Sequence, residues 1–565
     1  MEQIGDRDQT GDARVSARLT PFLRSGAPFR TAAVLFDFDG TLTRPELLDL
    51  PAIQRAIGCP PGKGVLEYLR DIEDVDERRR YEAIMLQAEA EAADHAEPSD
   101  GAEALVAFLR EHKIPMAIIT RNAGATVERA LAHFTGMDPA DFALIVSRDF
   151  PMSPKPFPDG VLHVAESLGV EVGELLVIGD HAFDIEAGER AGARTMFVRN
   201  DPAEPLPETP TDFVVRNLED ARRIIRYGLP LPVGKLPADL LRESLEGIIS
   251  ADPAVLVGAG IGEDAAAMDI SEAEVLVLAS DPITLATDSL ARYAVLANAN
   301  DVATSGATPR WLLTTLLFPP GSTPSEVVAV ARDIQEVCGE YGVSLCGGHT
   351  EITDAVCRPL VVGTMAGTAL MAHLVDKRYM REGDRILLTK GVAIEGTGLI
   401  AREFGTRLAR SGMTEAEIAE CAGFLDRVGI LEEARIARSF AGVTAMHDVT
   451  EGGLATAVSE LGAAGGRRLR LHTEKIPVYP QTRRLCAALG LDPLGLIGSG
   501  TLLITCSPSD AGALMDAVAA EGIEIADIGE VLGRGDGVEA LRDGSSVEWP
   551  HFDRDEVSRL KLVSE

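Results

Sequence analysis

Residues 31–41 read TAAVLFDFDGT: an apolar run, Thr31–Phe36, leads straight into Asp37-Phe38-Asp39-Gly40-Thr41. An apolar run of strand length without polar alternation predicts a strand covered on both faces, as in a parallel sheet. The two carboxylates then stand at the carboxyl edge, where ligands of α/β sheets bind. Alternation sends Asp37 and Asp39 to one side and Phe38 to the other, and Gly40 allows the tight turn that follows. Working outward, Lys113–Ile119 (KIPMAII), Leu175–Ile178 (LLVI) and Thr195–Val198 (TMFV) are further strand-length runs, separated by helix-like segments such as Gly101–His112 and Gly124–His133. Strands alternating with helices predict an α/β fold with a Rossmann-like parallel sheet. Between Pro45 and Pro98 the pattern turns polar, Glu- and Ala-rich and helical, which predicts a small cap inserted on the sheet.

Two carboxylates spaced like Asp37 and Asp39 can divide labour: one attacks phosphorus, the other protonates the leaving oxygen and then activates water. Their repulsion favours a bound divalent cation. Thr120 follows the run Lys113–Ile119, so its hydroxyl can hold a phosphoryl oxygen. Lys155, in Ser153-Pro154-Lys155-Pro156, offers a point charge, and Gly179-Asp180-His181-Ala182-Phe183-Asp184 adds two more carboxylates after a strand.

These pieces, in this order over residues 31–227, resemble the haloacid dehalogenase superfamily of phosphatases. The resemblance implies Asp37 as nucleophile, Asp39 as acid/base, Thr120 and Lys155 as phosphate binders, and magnesium on Asp37, Asp180, Asp184 and the Asp39 carbonyl. The cap, about 45–98, is similar to that of the phosphoglycolate-phosphatase-like branch.

Pro202–Pro210 and Pro230–Pro237 are Pro-rich and favour extended backbone, so they read as a linker. The expected organisation is a tail over 1–30, a hydrolase domain over 31–227, a linker over 228–240, a two-half α+β unit divided into 241–374 and 375–550, and a tail over 551–565. In the second unit the predicted strands include Val275–Ala279, Gly342–Cys346, Arg385–Thr389 and Gly500–Cys506, with helices at Pro324–Tyr341, Glu395–Ala409 and Glu415–Phe440.

That unit has no GxxxxGK[ST] loop. It carries Gly258–Asp264 (GAGIGED), Asp281 and Asp288 after a strand, Asn300-Asp301, Gly347-Gly348-His349-Thr350-Glu351, and His447-Asp448-Val449-Thr450-Glu451-Gly452-Gly453. Carboxylates beside glycine loops suit magnesium bridging a polyphosphate. Together, over about 240–545, these motifs resemble the aminoimidazole-ribonucleotide synthetase superfamily, closest to its hydrogenase maturation group. The resemblance implies ATP at the interface of a homodimer formed through the sheet of residues about 255–370. It implies metal on Asp264, Asp281 and Asp301, nucleotide contacts from Gly262, Asn300, Gly347, Gly348 and His349, and substrate contacts from Asp448 and Glu451. The hydrogenase maturation group carries a C-terminal cysteine, and this sequence has none after Cys506, so the expectation is a general ATP-dependent phosphoryl transfer.

Composition bounds the rest. Of 565 residues 46% are hydrophobic and 25% charged, which is a foldable balance of several units. The 88 acidic against 53 basic residues leave −35, a field that repels nucleic acid. Seven scattered cysteines without a CxxC pair predict reduced thiols, and no run is apolar enough to span a membrane. A cytoplasmic bifunctional enzyme is expected, acting on a small phosphorylated metabolite with Mg2+ and using ATP. The alternatives are a hydrogenase-maturation-like activator of a partner protein and a non-catalytic ATP-sensing dimerisation module.

Overall fold

The computed structural model describes residues 27–45, 50–60, 63–203, 205–232, 234–245, 252–257, 266–283 and 290–561. The chain divides into two compact units, Met1–Pro232 with Gly321–Ala329, and Val233–Pro320 with Val330–Glu565.

The first unit is built on six parallel strands: β1 (Ala33–Phe36), β2 (Met116–Ile119), β3 (Leu144–Val146), β4 (Leu175–Gly179), β5 (Arg194–Val198) and β6 (Phe213–Val215), in the order β3-β2-β1-β4-β5-β6. The apolar runs of β1, β2 and β4 are buried throughout, as a sheet covered on both faces requires. The chain winds from β1 outward through β2 and β3, then crosses back to β4, so the switch point lies between β1 and β4. The three-residue strands β3 and β6 escape sequence reading because they are too short to show a pattern. β6 and the helix Leu218–Arg226, whose Leu218, Ala221, Ile224 and Ile225 are buried, make Pro202–Pro210 a loop inside this unit rather than part of a linker. Within 228–240, Leu229 and Leu231 belong to the first unit, Leu236 and Leu240 to the second, and all four are buried.

The cap leaves and rejoins the sheet unit at one place, where Thr43 bridges Pro98 and Ser99 N donates to Leu42 O. Its helices Leu50–Ile57, Val65–Arg70 and Val75–Asp94 enclose their own core of Ile53, Ile57, Cys59, Val65, Leu69 and Met85. The long helix starts where the Asp74 carboxylate accepts from Asp76 N and Glu77 N. Its far half is tied down by Glu89, fully buried and forked by Arg148 at 2.5 and 3.0 Å, and by Asp94, forked by Arg129 at 2.6 Å.

The second unit holds a five-stranded and a seven-stranded sheet. The first runs Glu274–Ile283, Leu360–Leu370, Thr308–Phe318, Ser344–Ile352, Gly234–Lys235, with Glu274–Ile283 on the edge. The second runs Val443–Asp448, Leu502–Cys506, Arg385–Thr389, Ile525–Arg534, Arg467–His472, Val538–Arg542, Ser545–Val547. Helices Gly453–Gly465 and Pro508–Ala520 cover it through Leu454, Val458, Leu461, Leu514 and Val518. Among the described residues, no helix is long and apolar enough to cross a membrane.

Several local expectations are corrected. Gly347–Glu351 does not follow its strand but lies within Ser344–Ile352, paired in parallel with Leu313–Leu317. The glycine is needed there by the neighbouring strand: a Cβ on Gly348 would stand 2.1 Å from Thr314 O. Asp281 lies inside its strand, opposite Gly363, not at its end. Asn300 and Asp301 belong to the last turns of the helix Leu290–Thr304 rather than opening a segment. The helix expected over 395–409 breaks at Phe404 into Ile394–Glu403 and Gly405–Arg410. The one expected over 415–440 breaks into Glu415–Ala422 and Leu431–Ala437, because the carbonyls of Arg427 and Gly429 turn away to meet Lys390 Nζ. Residues 551–561, expected as tail, pack instead: Val557 and Leu560 join a core cluster and Asp555 accepts from Gly452 N at 2.8 Å.

Candidate active site

The strand order of the first unit assembles the site. β1 lies between β2 and β4, so residues following these three strands meet at one carboxyl edge. Asp37 follows β1 and is anchored by its N–H donating to Ile178 O at 2.8 Å. Thr120 follows β2 and Asp180 follows β4. The loop after β3 brings Lys155, and the one after β5 brings Asn200.

Lys155 Nζ, 5% exposed, touches both Asp37 Oδ1 and, at 2.5 Å, Asp184 Oδ1. Asp184 sits in the first turn of the helix Ala182–Ala191, where its Oδ2 accepts from His181 N at 3.1 Å. One oxygen from each of Asp37, Asp180 and Asp184 lies within 4.8 Å of the others. Asp180 is steadied by Thr41 Oγ1 at 3.4 Å and Asn200 Nδ2 at 3.1 Å, and Asn200 Nδ2 also donates to Gly40 O at 2.7 Å. Gly40 turns at φ +75°, and a Cβ there would stand 2.0 Å from Asp180 Oδ2. Any side chain at this turn would push into the carboxylate group.

Asp39 faces the same cavity of about 430 Å³, which Thr120, Lys155, Asp180 and Asp184 also line. Asn122 Nδ2 donates to Asp39 Oδ2 at 2.6 Å, while Asn122 N donates to Thr120 Oγ1 at 3.1 Å. The electrostatics follow from enclosure. Burial pushes Asp39 up to about 6, against the pull of Asn122 and Lys155. Burial, then Asp184, pushes Asp180 up to about 7. Burial and Asp184 hold Asp37 well above the usual carboxylate range despite Lys155. Burial opposes the Lys155 charge, yet Asp184 and Asp37 outweigh it and raise the lysine above its ordinary value.

The sequence-expected residues Asp37, Asp39, Thr120, Lys155, Asp180 and Asp184 thus share one cavity. Asn122 and Asn200 were missed. Asn122 could have been suspected from its place two residues after Thr120, and Asn200 from Arg199-Asn200-Asp201 at the end of β5, the strand beside β4.

The second unit brings together only part of its expected set. Strand alternation turns Asp281 toward the helix Leu290–Thr304, where Asp281 N donates to Asn298 Oδ1 at 2.8 Å. Asp301, on that helix, is pushed up to about 8 by burial, then by Asp448 and by its bond to Asp281, with Lys377 opposing. Asp448 ends the strand Val443–Asp448 and is likewise raised, by burial first. Asn300 does not join them: it is buried, its Nδ2 donating to Val428 O at 2.9 Å and its Oδ1 accepting from Ile430 N at 3.1 Å, so it ties the helix to the loop before Leu431–Ala437. His349 pairs with Glu351 at 3.2 Å. Glu451 is exposed and acts on Glu395 and Asp555, helping burial to raise Glu395 to about 7. Gly262, Asp264 and Asp288 lie outside the described residues.

Comparison with known proteins follows the same division. The haloacid dehalogenase-like hydrolase family matches residues 31–192, and the N-terminal and C-terminal domains of the AIR synthase related proteins match 262–369 and 381–541. An uncharacterized hydrolase of Saccharomyces cerevisiae, YOR131C, is 31% identical over 194 residues, which span 34% of this chain and 88% of that protein. The carbamoyl dehydratase HypE of Cupriavidus necator is 28% identical over 284 residues, 48% of this chain and 77% of that protein. The crystal structure of Escherichia coli HypE aligns with 56% of this chain and 97% of its own at a TM-score of 0.47 and 23% identity. The chain therefore belongs, through its first unit, to the haloacid dehalogenase-like hydrolases, and it joins to that hydrolase a HypE-like pair of AIR synthase related domains.

Proposed function

We propose that the first unit hydrolyses small phosphomonoesters with magnesium, and that the second binds ATP and uses it to phosphorylate or activate a small molecule. The observation that carries the first half is the single cavity in which Lys155 bridges Asp37 and Asp184 while Asp39 and Thr120 face the same space.

The residues fit magnesium. Three carboxylates, Asp37, Asp180 and Asp184, converge on a spot neutralised only by Lys155 among the groups they touch there. All-oxygen donors of this kind suit a hard divalent cation, with the Asp39 carbonyl as a further ligand. Burial first, and then the neighbouring Asp184, raise the pKa values of Asp37 and Asp180. When bound, the cation neutralises charge on the transferring phosphoryl group.

The chain's own residues supply the rest. Thr120 and Lys155 hold phosphoryl oxygens and aim phosphorus at Asp37. Asp37 attacks, the ester bond breaks, and Asp39, whose raised pKa of about 6 lets it carry a proton at mildly acidic pH far more readily than a free aspartate, gives that proton to the leaving oxygen. Asp39, now a carboxylate held by Asn122, takes a proton from the water that cleaves the aspartyl phosphate. The cap core limits access of bulk water through Leu66 and Met85.

In the second unit, Asp301 is bonded to Asp281 and feels Asp448, and neighbouring carboxylates of this kind could share magnesium with a polyphosphate that completes the ligand set. Dimerisation through the five-stranded sheet is supported by its edge strand Glu274–Ile283, which exposes Leu276 and Leu278 at 43% and 64%. Similarity to the HypE dehydratases favours a second reading, an activator of a partner protein.

Asp37→Asn should lower magnesium-dependent hydrolysis of an aryl phosphate by orders of magnitude, and Asp39→Asn by about 10²–10⁴-fold. Near-normal turnover by purified Asp37→Asn protein would show that another group is the nucleophile.

Asp39, Asp180 and Asp301 carry folded pKa values of about 6, 7 and 8, above the roughly 4 of an unfolded aspartate. The folded chain therefore holds extra protons between these limits, and stability falls as pH rises through them. In EDTA the thermal midpoint should drop from about pH 5 to about pH 8, and magnesium should flatten the slope. A midpoint in EDTA that rises over this range would contradict the charge balance described for both sites.

ATP should bind weakly without magnesium, because its phosphates meet Asp281, Asp301 and Asp448. Calorimetry with and without the metal tests this, and equal affinity in EDTA would dissolve the grouping of those carboxylates.

Light scattering should report a dimer for the wild-type chain and a monomer for Leu276→Lys/Leu278→Lys. A double variant that remains dimeric would place the interface elsewhere.

A further inference from the structure

We infer that the substrate of the first unit is a phosphomonoester whose organic group carries a second anion, received by Arg70 and Arg78 in a chamber of its own. The inference rests on the phosphatase reading.

Beside the carboxylate cavity lies a second one of about 490 Å³. The two share Leu66, Met85, Thr120 and Lys155. The polar members of that common wall are the two groups assigned to the phosphoryl oxygens. A phosphoryl group held by them therefore faces both spaces, and its ester substituent has two directions open to it.

Charge separates the two directions. The first cavity sets Asp37, Asp39, Asp180 and Asp184 against Arg44, Arg121 and Lys155, and Arg121 is already joined to Glu67. The second sets Arg70, Arg78, Arg148 and Lys155 against Glu82 and Asp149. With magnesium on its carboxylates the first cavity spends its positive charge on the phosphoryl group, and the second offers arginines to an anion on the organic group.

Two of the second chamber's cations are free to act. Arg148 is committed to the buried Glu89, and Lys155 to Asp37 and Asp184. Arg78 stands 3.8 Å from Glu82, beyond hydrogen-bond reach, and Arg70 is exposed on the last turn of the helix Val65–Arg70. Leu69, Ile119, Val146 and Met152 line the same space as these guanidiniums. That lining suits a carbon skeleton with a polar end. A guanidinium fork matches carboxylate and phosphonate oxygens alike, so the shared chemistry is a planar or tetrahedral oxyanion.

The test uses the full chain with magnesium and three aryl esters of matched shape: 4-carbamoylphenyl, 4-carboxyphenyl and 4-phosphonophenyl phosphate. The wild type should favour at least one anionic ester over the neutral one in kcat/KM by about ten- to a hundredfold, the worth of a charge-assisted hydrogen bond. Which ester is favoured distinguishes carboxylate from phosphonate recognition. Arg70→Met/Arg78→Met should bring that ratio close to one, and Arg70→Lys/Arg78→Lys should restore part of it, which separates lost charge from misfolding. A wild-type ratio near one, or a ratio that survives the methionine variant, overturns the inference and leaves the phosphatase reading standing. Failure to hydrolyse the neutral and both anionic esters removes the phosphatase reading and this inference together.

Discussion

Lys155, itself buried, touches Asp37 and Asp184 at once, and the rest of the first unit's site is arranged around that contact. Three carboxylates with oxygens within 4.8 Å repel one another by roughly 3 kcal/mol per pair at an effective dielectric near 20. One ammonium offsets part of this and leaves a net negative spot at the edge of β1 and β4. Burial, with that imbalance added to it, holds Asp37 and Asp180 above the usual carboxylate range. It also explains why the turn after Asp39 has no side chain: the space opposite Gly40 is already filled by Asp180.

The second unit contains a buried lysine with a different role. Lys390 Nζ pairs with Glu433 at 2.6 Å and donates to the carbonyls of Arg427, Gly429 and Gly500 at 3.2, 2.7 and 3.0 Å. Its donors are spent on backbone, so it fixes three loops and has nothing to offer a ligand. Lys155 meets carboxylates only, and a phosphoryl oxygen can take a share of its donors without leaving a carbonyl unsatisfied. Burial alone therefore does not mark a working lysine; the chemistry of its partners does. In the second unit Asp448 and Asp281 raise Asp301 with Lys377 opposing, but among the described residues it is Asp37, Asp180 and Asp184 that bring their oxygens within 4.8 Å of one another.

The parallel sheet and its site were legible because their chemistry is local: Asp37, Thr120 and Asp180 directly follow apolar runs, and strand order does the gathering. The second unit was less legible because its motifs mean different things in different settings. Asn300-Asp301 reads as a cap, yet in the helix Leu290–Thr304 one neighbour bridges to Val428 and Ile430 while the next joins Asp281 and Asp448. Gly347-Gly348 reads as a turn, yet the strand runs through it because Thr314 O lies too close for a Cβ. Such contacts come from residues far along the chain, and local pattern carries no record of them. Asn122 and Asn200 were lost for the same reason, since their importance lies in Asp39 and Asp180, not in their own surroundings in sequence.

The cap shows how anchoring can divide one helix into two tasks. In Val75–Asp94 the far half is pinned, with Glu89 forked by Arg148 and Asp94 by Arg129. Removing Arg148 would strand a buried carboxylate, at a cost of about 3–5 kcal/mol, so this half fixes where the cap sits. Met85, near the middle, is 4% exposed and stands in the wall between the two cavities. The near half carries Arg78 and Glu82, which are held by no contact tighter than 3.8 Å to each other. A rigid half that positions the wall and a lightly held half that faces the organic group let the reaction and its selectivity vary independently. On the substrate inferred above, substitutions at Arg78 or Glu82 would change what enters without moving the carboxylates that act on it.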